Sequence, residues 1–264
     1  MNISDIGLRY DPYTVRGRTK HSAQRGVIIG ASQSGKSELA THLINDYRDR
    51  VGASVLVIDT KPRFRAEWAP SGLKAQRRYR DWSYGEPIEN SMLVNLDAPA
   101  SIDDVWSTGC DVAIAQVEGD MSTQQLAGML WIVKRFYDKS RANKPRLLYV
   151  DELGDFYGSN GSLRSGLWGV GDQIIRCIRA GAERGVAVLT ASQRPVCIPT
   201  QAVQEASVFY LFQLDNETDM TTLYQRGLSR KVPPIDIERE PRFSFRVFDK
   251  REHPPVLRTG KLAI

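Results

Sequence analysis

Residues Gly30-Ala31-Ser32-Gln33-Ser34-Gly35-Lys36-Ser37 read G-x-x-x-x-G-K-S, the spacing of a loop that wraps a chain of phosphates. Each residue type has a reason to be there. Glycines let the backbone turn tightly and aim its N–H groups inward. A helix starting where the loop ends presents its positive pole to the same anion. The Lys36 ammonium reaches the β- and γ-phosphates, and the Ser37 hydroxyl can ligate Mg2+. Such a site needs an acid from another core strand, and Leu147-Leu148-Tyr149-Val150-Asp151-Glu152 supplies two. Four apolar residues put Asp151 at a strand end, where it can hold Mg2+ through water. Glu152 points to the other side of the chain and can polarise an attacking water. No motif specific for guanine is evident, so the expected ligands are ATP and Mg2+.

These groups need elements to hold them. An apolar run at 26–31 reads as the strand that delivers the loop, and Leu39, Leu43 and Ile44 give the following residues helical spacing. Further strands are expected at 54–59, 111–117, 146–152 and 185–192, with later ones at 206–214 and 242–249. Residues 122–140 read as a helix with Ser122 as N-cap and Gln125 three residues on. Residues 163–184 and 216–227 read as mainly helical. Continuous apolar runs imply strands buried on both faces. Their alternation with helices implies an α/β fold, a mostly parallel central sheet flanked by helices, with ligands at the carboxyl ends of its strands. At least one strand, and by the count of runs two, should separate the loop strand from the Asp151 strand. The simplest organisation is one domain over residues 1–264, with a basic and aromatic insertion at about 60–105 and a C-terminal extension from about 226.

The 264 residues are 41% hydrophobic and 25% charged, enough for a sizeable core. No apolar run approaches the roughly 20 residues that span a bilayer. The first residues lack the apolar segment of a secretory signal, so the expected compartment is the cytoplasm. Cys110, Cys177 and Cys197 match no zinc spacing and read as ordinary buried thiols of a reducing compartment. The formal charge of +5 permits a polyanionic partner without demanding one. Basic residues cluster at Arg16, Arg18, Lys20 and Arg25, and again at Lys61, Arg63, Arg65, Lys74, Arg77, Arg78 and Arg80. Trp68, Tyr79, Trp82 and Tyr84 lie among the second group. Such a mixture can track a nucleic acid, though packed aromatics with solvated arginines are commoner.

Four stretches then occur in a telling order: Val55–Phe64, Leu147–Phe156, Arg179–Ser207 and Phe209–Met220. Their order, with Ser192-Gln193-Arg194-Pro195 closing an apolar strand, resembles the FtsK–HerA superfamily of DNA-pumping ATPases. Compact length makes the chain most similar to the genome-packaging ATPases of tailless, internal-membrane double-stranded DNA viruses. The resemblance implies a RecA-like P-loop NTPase of the type with an additional strand and a catalytic glutamate. It gives Gln193 the role of sensing the γ-phosphate. It implies a ring, a hexamer, acting on double-stranded DNA, with capsid or membrane vertex proteins as further partners. The setting would be the host cytoplasm or a virion packaging vertex. It also implies an arginine supplied across a subunit boundary, usually in Gly-Arg-x-x-Gly before the sensor strand. This chain has Gly181-Ala182-Glu183-Arg184-Gly185 instead, so the register does not carry over; Arg184 is preferred, with Arg179 next. Lys61 is left between a phosphate, a neighbouring subunit, DNA and solvent, and Arg194 between a neighbour, DNA and solvent. Two rivals stay open: a conjugation- or secretion-type coupling ATPase of the same superfamily, and a non-motor switch whose bound ATP controls assembly.

Overall fold

The structure is a computed structural model. It describes residues 3–15, 18–61, 63–64, 66–68, 88–97, 99, 101–117, 122–158, 166–214, 217–233, 241, 243–252 and 254–262. Arg16, Arg65, Lys74, Arg77, Arg78, Tyr79, Arg80, Trp82 and Tyr84 lie outside the described residues.

In chain order the elements are α1 (Ile3–Ile6), β1 (Tyr10–Val15), β2 (Arg18–Ala23), β3 (Arg25–Ile29), α2 (Lys36–Val51), β4 (Ser54–Asp59), β5 (Ala66–Trp68) and β6 (Ile88–Leu93). There follow α3 (Ser101–Ser107), β7 (Val112–Gln116), α4 (Thr123–Asp138), β8 (Arg146–Asp151), α5 (Trp168–Ala180) and β9 (Val186–Ser192). Last come α6 (Thr200–Glu205), β10 (Val208–Phe212), α7 (Glu217–Gln225), β11 (Ser244–Asp249) and β12 (Val256–Lys261).

Ten of the strands form one sheet in the order β12-β11-β10-β3-β9-β8-β4-β7-β6-β5. From β10 to β5 every pairing is parallel; β11 and β12 add an antiparallel edge. The fold class expected from the alternating pattern is the one observed. One detail differs. A single strand, β9, separates the loop strand β3 from the Asp151 strand β8. Counting apolar runs along the chain gave two, because order in the chain is not order in the sheet once crossovers intervene. The strand between is the one that ends at Ser192, next to Gln193.

Alternate residues of each central strand feed two separate cores. Val27, Ile29, Leu56, Ile58, Leu148 and Val150 face one, together with Met129, Ile132 and Phe136 of α4 and Ile174 and Ile178 of α5. Ile28, Val55, Val57, Leu147 and Tyr149 face the other, with Leu39, Leu43, Ile44 and Tyr47 of α2. Burial on both faces is why these strands read as unbroken apolar runs. The start of α4 is fixed as its sequence suggests: Ser122 Oγ accepts from the Gln125 N–H at 3.1 Å, and Gln125 Oε1 accepts from the Ser122 N–H at 3.2 Å. All three cysteines are free and buried.

The hairpin β1–β2 was not legible, since its strands are polar and lack a period-2 apolar face. It forms a sheet of its own, and β2 runs beside the short turn Ala182–Arg184.

Candidate active site

Parallel strands all point the same way, so their carboxyl ends gather the groups that the sequence scatters. β3 ends at the phosphate loop. Gly30 must be glycine because a Cβ there would sit 2.5 Å from the Phe212 Cβ and 2.8 Å from Ser34 Oγ. Gly35 has φ +103 and caps the start of α2 in the left-handed region, which L side chains rarely enter. A Cβ on Gly35 would also lie 2.9 Å from the Leu262 Cδ1, so the antiparallel edge packs directly onto the loop. The Ala31 N–H donates to the Gln213 carbonyl at 2.7 Å, tying the loop to the end of β10. Lys36 is buried and donates to the carbonyls of Gly30 at 2.8 Å and Ala31 at 2.5 Å. Ser32 and Gln33 are exposed at the tip, and Ser34 Oγ is buried without a hydrogen-bond partner.

Asp151 ends β8 and is 1% exposed. Its Oδ1 accepts from the Tyr149 hydroxyl at 2.9 Å. Its Oδ2 is buried and accepts no hydrogen bond. Across the ladder its register partner is Asp59 at the end of β4, fully buried as well. Burial, with the Asp59 charge beside it, pushes the Asp151 carboxyl up to about 7, against the pull of Arg63 and the Tyr149 hydroxyl. Burial also raises Asp59, although its Oδ2 accepts from the N–H groups of Arg63 (2.8 Å) and Phe64 (3.0 Å) and from Gln116 Nε2 (3.0 Å).

Glu152 has φ +53, a left-handed conformation that costs a non-glycine residue about 1–2 kcal/mol. The turn carries its side chain towards β9. There Oε1 accepts from Ser192 Oγ and from the Gln193 N–H, each at 3.0 Å. Lys61 lies 3.7 Å from Glu152 Oε2 and 3.7 Å from Asp155 Oδ1. None of the partners open to Lys61 in the sequence was this acidic pair. Lys61, Glu152, Asp155, Gln193 and Arg194 line a cavity of about 180 Å³. Arg194 is exposed, and Pro195 opens a short 3-10 turn that ends the strand. Arg226, just past α7, donates to the carbonyls of that turn, at 2.8 Å to Val196 and 3.3 Å to Pro195.

Arg63 was noted only as part of a basic run. Its Nη1 donates to Ser37 Oγ at 3.4 Å, and its Nε lies 3.9 Å from Asp151 Oδ2. Arg63, Tyr149, Ser192 and Gln116 complete the site, and sequence reasoning missed all four. The two arginines at the foot of β9 are at the opposite end of that strand from Gln193. Arg179 is exposed on the last turn of α5. Arg184 is half-buried, with its guanidinium 4.6 Å from the Tyr137 ring centre.

Chemically, the loop and the start of α2 form an anion cradle. The hydroxyl of Ser37 and the Asp151 carboxylate oxygen that accepts no hydrogen bond are hard oxygen donors that fit a small divalent cation. Glu152 lies beside them, its Oε1 held by the Ser192 hydroxyl and the Gln193 N–H, and a carboxylate in that place has the chemistry of a general base.

No protein-family model matches this sequence, and no curated protein does. Similarity appears in solved structures. The genome packaging NTPase B204 of Sulfolobus turreted icosahedral virus 2, in complex with AMPPCP, superposes with a TM-score of 0.55 at 12% identity, over 91% of this chain and 98% of that one. The DNA-packaging ATPase B204 of Sulfolobus turreted icosahedral virus gives 0.51 at 13% identity, over 91% and 98%. The pCW3 conjugation coupling protein TcpA, as a monomer with ATPγS, gives 0.51 at 13% identity, over 96% of this chain and 65% of that one. At such identities the likeness is one of fold, and the fold is the one the sequence resemblance implied.

Proposed function

We propose that this chain is an ATPase that drives double-stranded DNA through a ring of its own copies, packaging viral DNA into a preformed capsid. One observation carries the hydrolytic half: Glu152 Oε1 accepts the Gln193 N–H at 3.0 Å. That bond joins the acid beside the proposed metal ligand to the strand beside the phosphate loop. A water on the open side of that pair would meet the Glu152 carboxylate as base and the Gln193 side-chain amide. The DNA half is supported by fold likeness to a packaging NTPase and a conjugation coupling protein, and by the basic excess.

In this reading the triphosphate enters the loop, and Lys36 exchanges the carbonyls of Gly30 and Ala31 for phosphate oxygens. Ser37 and Asp151 hold Mg2+, which when bound neutralises the developing phosphate charge. Tyr149 orients the Asp151 carboxylate. Glu152 takes the proton of the attacking water. The Gln193 amide bonds the γ-phosphate and reports its loss along β9. An arginine from the adjacent subunit stabilises the transferring group, an effect of about 10³–10⁵ in rate. Arg179, exposed where Arg184 is stacked on Tyr137, is the better placed of the two. Basic surface grips the DNA backbone without reading its sequence.

The test is ATP turnover with and without duplex DNA, in a preparation shown to form rings. DNA should raise turnover several-fold. Slow turnover indifferent to DNA would favour the assembly switch. The likeness to the coupling protein favours one second reading, DNA transfer at a membrane. Docking of the ring on purified capsids decides for packaging, and its absence for transfer.

A further inference from the structure

We propose that the Arg63 guanidinium is a built-in substitute for the divalent cation, filling its position and giving way when a metal-bound triphosphate arrives. The proposal rests on reading Ser37 and Asp151 as the metal ligands. The guanidinium spans those two side chains, 3.4 Å from Ser37 Oγ and 3.9 Å from Asp151 Oδ2. A cation held by Ser37 and, through water, by Asp151 would need the space between the two side chains, so the two occupants exclude each other.

The charges require something of the kind. Asp59 and Asp151 are paired in register at the ends of adjacent strands, both buried. Strands lie about 4.8 Å apart, so the two carboxylates repel unless one is protonated or a cation stands near. A guanidinium supplies it because it stays protonated in any protein environment. The Arg63 hold is also weak where it must be reversible. At 3.9 Å the contact with Asp151 is an ion pair and not a hydrogen bond, and Oδ2 keeps its lone pairs. The side chain is 30% exposed and so has a way out towards solvent.

The backbone beneath it is fixed. The Arg63 and Phe64 N–H groups both bond Asp59 Oδ2, and the Phe64 ring packs edge-on against Tyr149 at 5.3 Å. Only the side chain needs to move. Loading the site then becomes a cation exchange: one positive charge leaves Asp151 as two arrive with the nucleotide.

The probe is Mn2+, titrated without nucleotide and followed by electron paramagnetic resonance. Arg63→Gln should bind Mn2+ about tenfold tighter than wild type, since a neighbouring positive charge has gone. Arg63→Lys, which keeps a charge there, should bind as weakly as wild type. Adding Asp151→Asn to Arg63→Gln should abolish the gain. Equal or weaker Mn2+ binding in Arg63→Gln overturns the proposal. If the gain survives Asp151→Asn, the ion is not held by Asp151, and the metal-ligand reading falls with it.

A measurement on the wild type covers the case in which Arg63→Gln does not fold. The 15N signal of Arg63 Nε should shift when Mg2+ and an ATP analogue are added together. It should not shift with the analogue in chelator. An equal shift under both conditions shows that phosphate and not the cation moves the side chain, and overturns the proposal.

Discussion

Glu152 is held at three points, by Ser192 Oγ, by the Gln193 N–H and by the nearby Lys61. If it is the general base, Glu152→Gln should lower turnover by about 10²-fold or more while ATP still binds; single-turnover kinetics beside a nucleotide-binding titration separates the two. Unchanged turnover removes the general base from the reading. Ser192→Ala deletes one of the three holds and leaves a buried carboxylate oxygen with one donor fewer, a stability loss of about 1 kcal/mol. Its kcat should fall while KM for ATP stays near that of wild type. The loop and the Asp151-Glu152 pair were legible because each is contiguous and obeys one local rule, strand then turn. Arg63, Gln116 and Ser192 were not, because each acquires meaning only through a partner distant in the sequence, and Tyr149, which bonds Asp151 two residues along its own strand, reads as one more member of an apolar run. Arg63 meets Ser37, 26 positions away, and Ser192 meets Glu152, 40 positions away. The one available hint was that Asp59 ends its strand as Asp151 does. Two buried acids at neighbouring strand ends are relieved by a nearby cation, and Arg63 is the arginine four residues after Asp59.

Among the elements, α4 offers the simplest check. Its capping box satisfies two backbone donors, so Ser122→Ala should cost about 1 kcal/mol and lower the thermal midpoint without altering ATP turnover per folded molecule. The helix was readable from the sequence for the same reason: Ser122, Gln125 and an apolar stripe agree. A less visible strut joins the end of α7 to the turn after β9, where Arg226 bonds the carbonyls of Pro195 and Val196. Arg226→Ala should loosen the turn that follows Gln193 and Arg194. The expected result is a lower kcat with nearly unchanged ATP affinity, measured by steady-state kinetics beside equilibrium binding. A loss of affinity equal to the loss of kcat would place the effect in general stability. The order of strands was the part that no local signal carried. Apolar runs announce that a strand is buried on both faces, but crossovers decide which strand lies beside which.

For the whole molecule, the reading demands shared sites and a salt-sensitive grip. Rings mixed from Lys36→Ala subunits and Arg179→Ala/Arg184→Ala subunits should recover turnover that neither has alone, because intact halves meet at some interfaces. Failure of every mixture to recover would count against a finger from a neighbour. DNA stimulation should fall steeply between low and physiological salt, as counterion release requires. The sheet order has a further consequence, for the birth of the protein and not its working life. The strand carrying the phosphate loop, residues 25–29, is made early yet lies between strands at 186–192 and 208–212. A ribosome therefore releases the loop's own strand long before either flanking strand exists. Such long-range pairing is slow, and its edges stay exposed in the meantime. Nascent chains halted short of residue 212 should fail to bind nucleotide, and ATP itself becomes a ligand that can stabilise only the finished chain.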